Sequence, residues 1–222
     1  MSLLPPASAP RAIAILGAEC TGKSSLASQL TQALLARGQS STTVDEQLRI
    51  WCERNGRIPR ADEQRGIACA QQQAMETALA SHAWVVCDTT PLVTAVYSEL
   101  VYDDTSLYPE ALAWQKQYAL TLLTGCDLPW VADGFLRDGE GARQRFDQRM
   151  RDVLVQSGTA FSLVLGQGSA RLEAALRIID RQLLRSPSDA TAAHTPWKWM
   201  CERCSDAQCE HRLFRGLTNE TA

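Results

Sequence analysis

Short, wholly apolar runs alternate along this chain with longer amphipathic stretches. Ala12-Ile13-Ala14-Ile15-Leu16 is the first run, and Gly17 ends it. Beyond Lys23, Leu26, Leu30, Ala33 and Leu34 recur at i, i+4, i+7 and i+8, the spacing of one helix face. Gly38 supplies a stop. Residues 41–45 read as a weaker second strand, and 60–81 as a long polar helix. Residues 83–88 form an apolar run closed by Asp88. Residues 91–100 predict a helix with Pro91 in its first turn. Another helix starts near residue 109 and gives way to an apolar run at 120–123. A loop over 125–141 precedes a basic helix at 142–156, a last strand at 161–165 and a last helix at 169–184. Apolar strands alternating with helices predict an α/β fold, with a doubly wound, parallel, five-stranded sheet covered by helices on both faces.

Composition narrows the class. The 222 residues carry 22 Lys+Arg against 25 Asp+Glu, a net charge of −3, with 45% hydrophobic residues. Such a chain can bury a core without staples. The charge gives no broad basic footprint for nucleic acid. No apolar run approaches the roughly 20 residues of a membrane span. The Pro- and Ala-rich residues 1–10 are expected to be frayed, and they lack the charged and apolar regions of a signal peptide. Five of the eight cysteines, Cys20, Cys52, Cys69, Cys87 and Cys126, are scattered, which suits a reduced, cytoplasmic protein. Residues 11–185 form the expected main domain. A linker begins at Ser186, and 186–222 make a short Cys-rich appendage.

The chemistry begins at the first strand–helix turn. Gly17-Ala18-Glu19-Cys20-Thr21-Gly22-Lys23-Ser24 fits G-x-x-x-x-G-K-[ST], and Ser25 follows. The glycines permit backbone geometries that turn N–H groups around phosphate oxygens. Lys23 reaches the β- and γ-phosphates, and Ser24 offers its hydroxyl to Mg²⁺. The strand before it and the helix after it are the required context, so the segment reads as an ATP-binding phosphate loop. A guanine-reading Asn/Thr-Lys-x-Asp stretch does not occur. The length suits a small P-loop kinase better than a large remodelling ATPase.

Asp88 ends the run Trp84-Val85-Val86-Cys87-Asp88. If that strand neighbours the first, Asp88 stands beside the phosphate loop and can hold Mg²⁺; otherwise it is a helix N-cap before Pro91. Glu46 follows the second strand, where a carboxylate can accept a proton from a substrate hydroxyl, and Arg49 can bind phosphate. Their alternatives are a solvated helix start and a surface arginine. The 125–141 loop reads as a lid. Arg137 is the candidate for neutralising charge in the transition state, with Arg143 in reserve. Asp133 is a substrate-hydroxyl ligand or a turn former. Arg151 is expected to pair with Asp147 on a solvated face.

Together, GAECTGKSS, the stretch from Val44 to Arg49, the strand ending CDTT, and TLLTGCDLPWVADGFLRDG resemble the ribosylnicotinamide kinase domain of the NadR type, an AAA-type P-loop kinase of NAD metabolism. The likeness covers roughly residues 11–185. It implies phosphorylation of the 5′-hydroxyl of nicotinamide riboside by ATP, with Lys23 and Ser24 on ATP and Mg²⁺. It also implies that Glu46, Arg49, Asp88 and Asp133 shape the acceptor site. The family's E-Y-A-R aromatic is Gln47 here, so Trp51, Trp84 or Trp130 would have to supply a stacking ring. The adenylyltransferase domain of bifunctional members is expected to be absent, and no helix-turn-helix segment supports a repressor role.

In the tail, Cys201, Cys204, Cys209 and His211 are a candidate structural Zn²⁺ site, with His194 as an alternative fourth ligand. The competing reading is a set of incidental thiols. The expectation is a cytoplasmic, ATP- and Mg²⁺-dependent kinase of a small nucleoside, with Lys23, Asp88, Glu46 and Arg137 catalytic. The rival is an ATP-binding regulatory ATPase that works with a protein partner.

Overall fold

The computed structural model describes residues 11–130 and 139–182. In chain order the elements are β1 (Arg11–Leu16), α1 (Lys23–Ala36), β2 (Ser41–Val44), α2 (Gln47–Asn55), α3 (Ala61–Leu79), β3 (Trp84–Asp88), α4 (Pro91–Tyr102), α5 (Tyr108–Gln115), β4 (Leu120–Thr124), α6 (Glu140–Gln156), β5 (Ser162–Val164) and α7 (Gly168–Gln182). All strand pairs are parallel. The sheet order is β2-β3-β1-β4-β5, as the doubly wound reading requires.

The alternation of side chains along the strands builds a core on each face. Ile13 and Ile15 of β1 point to one side, where Trp84, Val86, Leu120, Leu122 and Val164 join them beneath Leu26, Leu30 and Leu34 of α1 and Ile179 of α7. Ala12 and Ala14 point the other way, with Val85, Cys87 and Met75 of α3. Leu16 packs with Leu92 and Val96 of α4 and with Phe146 and Met150 of α6. Ile13 and Ile15 are fully buried, each contributing roughly 1.5–3 kcal/mol by leaving water.

Two local details decide how the strand ends are used. Thr90 is the N-cap of α4 and its hydroxyl accepts from the Leu92 N–H at 3.3 Å, so Asp88 does not cap that helix. The helix α2 was not among the expected elements. Only Cys52 of its nine residues is buried, and Gly56, in the left-handed region at φ 65°, closes it by donating to the Cys52 carbonyl at 2.8 Å. No helix among the described residues is long and apolar enough to cross a membrane.

Candidate nucleotide and acceptor site

The turn from β1 into α1 is shaped by glycines that no other residue could replace. Gly17 has φ 145°, and a Cβ there would lie 2.1 Å from Thr124 Oγ1. Gly22, at φ 76°, is the N-cap of α1 and leaves the first amides of that helix open. Within the loop, Thr21 Oγ1 donates to the Ala18 carbonyl at 2.7 Å and accepts from Thr124 Oγ1 at 2.7 Å. Lys23 Nζ donates to the same Ala18 carbonyl at 2.8 Å. The lysine is thus held folded over the loop, where a phosphate would compete for it. The Ser24 and Ser25 side chains are exposed.

A buried arginine anchors the loop from behind. Arg171 of α7 is 4% exposed. It donates to the Thr21 carbonyl, to Asp127 beyond β4, and through Nε to the Gly166 carbonyl at 2.6 Å. Asp127 in turn accepts from the Gly166 N–H at 2.6 Å. The loop, the end of β4 and the β5–α7 turn are therefore one hydrogen-bonded unit. Neither Arg171 nor Asp127 was singled out from the sequence, where an arginine in an amphipathic helix looks like part of a solvated face.

Because β3 lies beside β1, Asp88 is in register with Ile15 and stands next to the phosphate loop. It is 5% exposed, and its Oδ1 is buried with no partner among the described residues. An orphaned carboxylate oxygen at this place fits a Mg²⁺ ion, with the Ser24 hydroxyl as second donor. No cluster of three or more metal-ligating side chains occurs among the described residues, and nucleotide-bound Mg²⁺ needs only one or two protein ligands. Thr89 has φ 74°, in the left-handed region that a β-branched residue rarely adopts, and its N–H donates to the Ile15 carbonyl at 3.1 Å.

Glu46 occupies the N-cap position of α2, and its side chain is 14% exposed. Burial pushes its pKa up, the Asp88 charge adds to that, and Lys23 and Arg49 oppose it. Glu46, Lys23 and Asp88, from three different strand ends, thus share one electrostatic neighbourhood. Arg49 makes a 3.6 Å ion pair with Glu46 and is about half exposed, which leaves it accessible to an anion. Beside them, Gln71 of α3 accepts from the Gln47 N–H at 2.8 Å.

The remaining expected residues separate. Trp84 is 1% exposed and donates from Nε1 to Gln39 at 3.1 Å, so it is a core residue and offers no ring to a ligand. Trp51 is half-buried with the Arg57 guanidinium 4.7 Å over its ring. Trp130 Nε1 is buried without a partner among the described residues. Arg143 is 3% exposed and donates to the Leu128 carbonyl at 2.8 Å, a tie between α6 and the segment after β4. Arg149 pairs with Glu99 at 2.7 Å, and Arg151 with Asp147 at 2.7 Å, the latter as expected. Arg137, Asp133, His194, Cys201, Cys204, Cys209 and His211 lie outside the described residues.

Residues 12–171 match the model of the family described as AAA domain. No curated protein matches the chain. Among solved structures, a NadR protein in complex with NR is similar at a TM-score of 0.66 and 19% identity, over 80% of this chain and 53% of that one. A NadR protein in complex with NAD and AMP-PNP gives a TM-score of 0.63 and 18% identity, over 80% of this chain and 51% of that one. The chain thus spans about half the length of these NadR chains. At such identities the likeness is one of fold, and it agrees with the resemblance read from the motifs.

Proposed function

The chain belongs to the AAA domain family, and on that premise we propose that it is an ATP-dependent kinase that phosphorylates nicotinamide riboside, or a closely related nucleoside, on its 5′-hydroxyl. The observation that carries this reading is the convergence of Glu46, Asp88 and Lys23. A simple nucleotide-binding switch needs the loop and a Mg²⁺ carboxylate. A second carboxylate, largely withdrawn from water on the acceptor side, is what proton removal from a hydroxyl needs. The NadR structures, one holding NR and the other NAD and AMP-PNP, support the choice of acceptor.

Under this reading the phosphate-loop amides hold the nucleotide, and Lys23 leaves the Ala18 carbonyl for the β- and γ-phosphates. Ser24 and Asp88 would hold Mg²⁺, which when bound neutralises phosphate charge. Glu46 accepts the 5′-hydroxyl proton as that oxygen bonds to the γ-phosphorus and the bond to the β–γ bridging oxygen breaks. Arg49 steadies the acceptor side, Asp133 binds a substrate hydroxyl, and Arg137 neutralises charge from the lid. No disulfide joins the five scattered cysteines within the described residues.

The test is product identification. Incubation with MgATP and nicotinamide riboside is expected to give ADP and nicotinamide mononucleotide in equal amounts. ADP without any phosphorylated nucleoside would favour the regulatory ATPase instead.

A further inference from the structure

The acceptor side of the site contains a buried hydrogen-bond donor with no acceptor among the described residues. Gln71 sits near the middle of α3 and is 2% exposed. Its Oε1 accepts from the Gln47 N–H, and that bond fixes the orientation of the amide, since an N–H can only meet the oxygen. The other end, Nε2, is buried with no partner among the described residues. Buried side-chain amides in folded proteins are nearly always satisfied, so an idle donor marks a place that a ligand or an ordered water completes.

The surroundings indicate the ligand. Gln47 is the first residue of α2 and directly follows Glu46. Glu46 in turn shares its field with Lys23 and Asp88. Gln71 therefore stands at the β2–α2 junction, beside the group assigned to proton removal. Two turns earlier on the same face of α3, Gln64 is 4% exposed and also carries an idle amide atom, Oε1. The helix thus buries glutamines among Ile67, Ala68 and Met75 where an ordinary core face would be apolar throughout.

We propose that Gln71 is a specificity-determining residue of the acceptor site, its Nε2 donating to an oxygen of the nucleoside that receives the phosphoryl group. Its Oε1 meanwhile holds the start of α2, and with it Glu46, in place. The substrate group opposite must be an acceptor, such as a hydroxyl or carbonyl oxygen, because a donor cannot be met by an ammonium or an N–H. This rests on the reading of the chain as a nucleoside kinase.

Two variants separate binding from support. Gln71→Glu keeps an oxygen for the Gln47 N–H and removes the donor. Gln71→Met removes both and carries no charge, so agreement between the two excludes repulsion between a new carboxylate and Glu46. In steady-state kinetics with nicotinamide riboside, both variants should raise the KM for the nucleoside by about five- to tenfold, the size of one neutral hydrogen bond. The KM for ATP should stay as in the wild type. Gln71→Met should also melt at lower temperature, while Gln71→Glu keeps the α2 bond and carries the test should methionine impair folding. Wild-type KM for the nucleoside in both variants overturns the role of Gln71 and leaves the kinase reading standing. Absence of phosphorylation by the wild type across a nucleoside panel overturns both.

Discussion

Glu46 sits under opposed pulls, and their resultant can be read in two assays. Burial and Asp88 raise its pKa, while Lys23 and Arg49 lower it, and the net shift is upward. A base must be ionised to accept a proton, so the acid limb of kcat/KM for the nucleoside should lie above the ordinary glutamate range, about 4.3. Glu46→Gln should erase that limb and lower the rate by about 10²–10⁴, which a pH–rate profile from 4.5 to 8 would register. Stability runs the opposite way. A raised folded-state pKa means the protonated form favours the fold, so that contribution is complete below the unfolded-chain pKa and disappears as pH rises through the folded value. The melting-temperature gain of Glu46→Gln over the wild type should therefore grow across this window and then level off. A gain independent of pH would contradict the burial argument. In the phosphate loop, Gly17→Ala would drive a Cβ to 2.1 Å from Thr124 Oγ1 and 3.0 Å from the Thr124 carbonyl, and should abolish ATP binding measured by calorimetry. Lys23 and Ser24 were legible in the sequence because phosphate geometry dictates residue type at fixed spacing. Gln71 and Arg171 were not, since a polar residue in an amphipathic helix has the same local signature whether it faces water or a neighbouring backbone.

At the scale of elements, the wholly apolar runs of β1, β3 and β4 announced themselves because both of their faces are covered, and the structure places strands at all five expected positions. The edge strand β5 shrank to three residues, paired among the described residues with β4. The helix α2 escaped because it buries one side chain, so no apolar period marks it. Asp88 had two readings, metal ligand or helix cap. The Thr90 hydroxyl, which accepts from Leu92, removed the second. The most consequential link between elements is Arg171. Arg171→Ala would leave the Thr21 and Gly166 carbonyls without this donor and Asp127 without its cation. The expected loss is about 2 kcal/mol in denaturant unfolding, reduced from the fully buried case because Asp127 is 31% exposed. A weaker KM for ATP should accompany it, because the loop loses its rear support. Full retention of both would show that the loop holds its shape alone.

For the whole molecule, the order β2-β3-β1-β4-β5 is what turns separate motifs into a site. It sets the ends of β1, β3 and β2 side by side, so that Lys23, Asp88 and Glu46, spread over some 65 residues of chain, share one electrostatic neighbourhood. No local pattern encodes that adjacency; it follows from packing the βαβ units, and the motif resemblance anticipated it only by analogy. The Cys201, Cys204, Cys209 and His211 cluster is proposed as a structural zinc site on its spacing alone. Elemental analysis of chain purified without chelator should find about one zinc per chain, the stoichiometry of a four-ligand site, and metal-free protein would remove the assignment. The central claim is phosphoryl transfer to a nucleoside. It is tested most directly by the rate of ADP formation from MgATP with and without nicotinamide riboside. ADP formation should depend on the nucleoside and vanish in Lys23→Ala. An ADP rate unchanged by any nucleoside would contradict it.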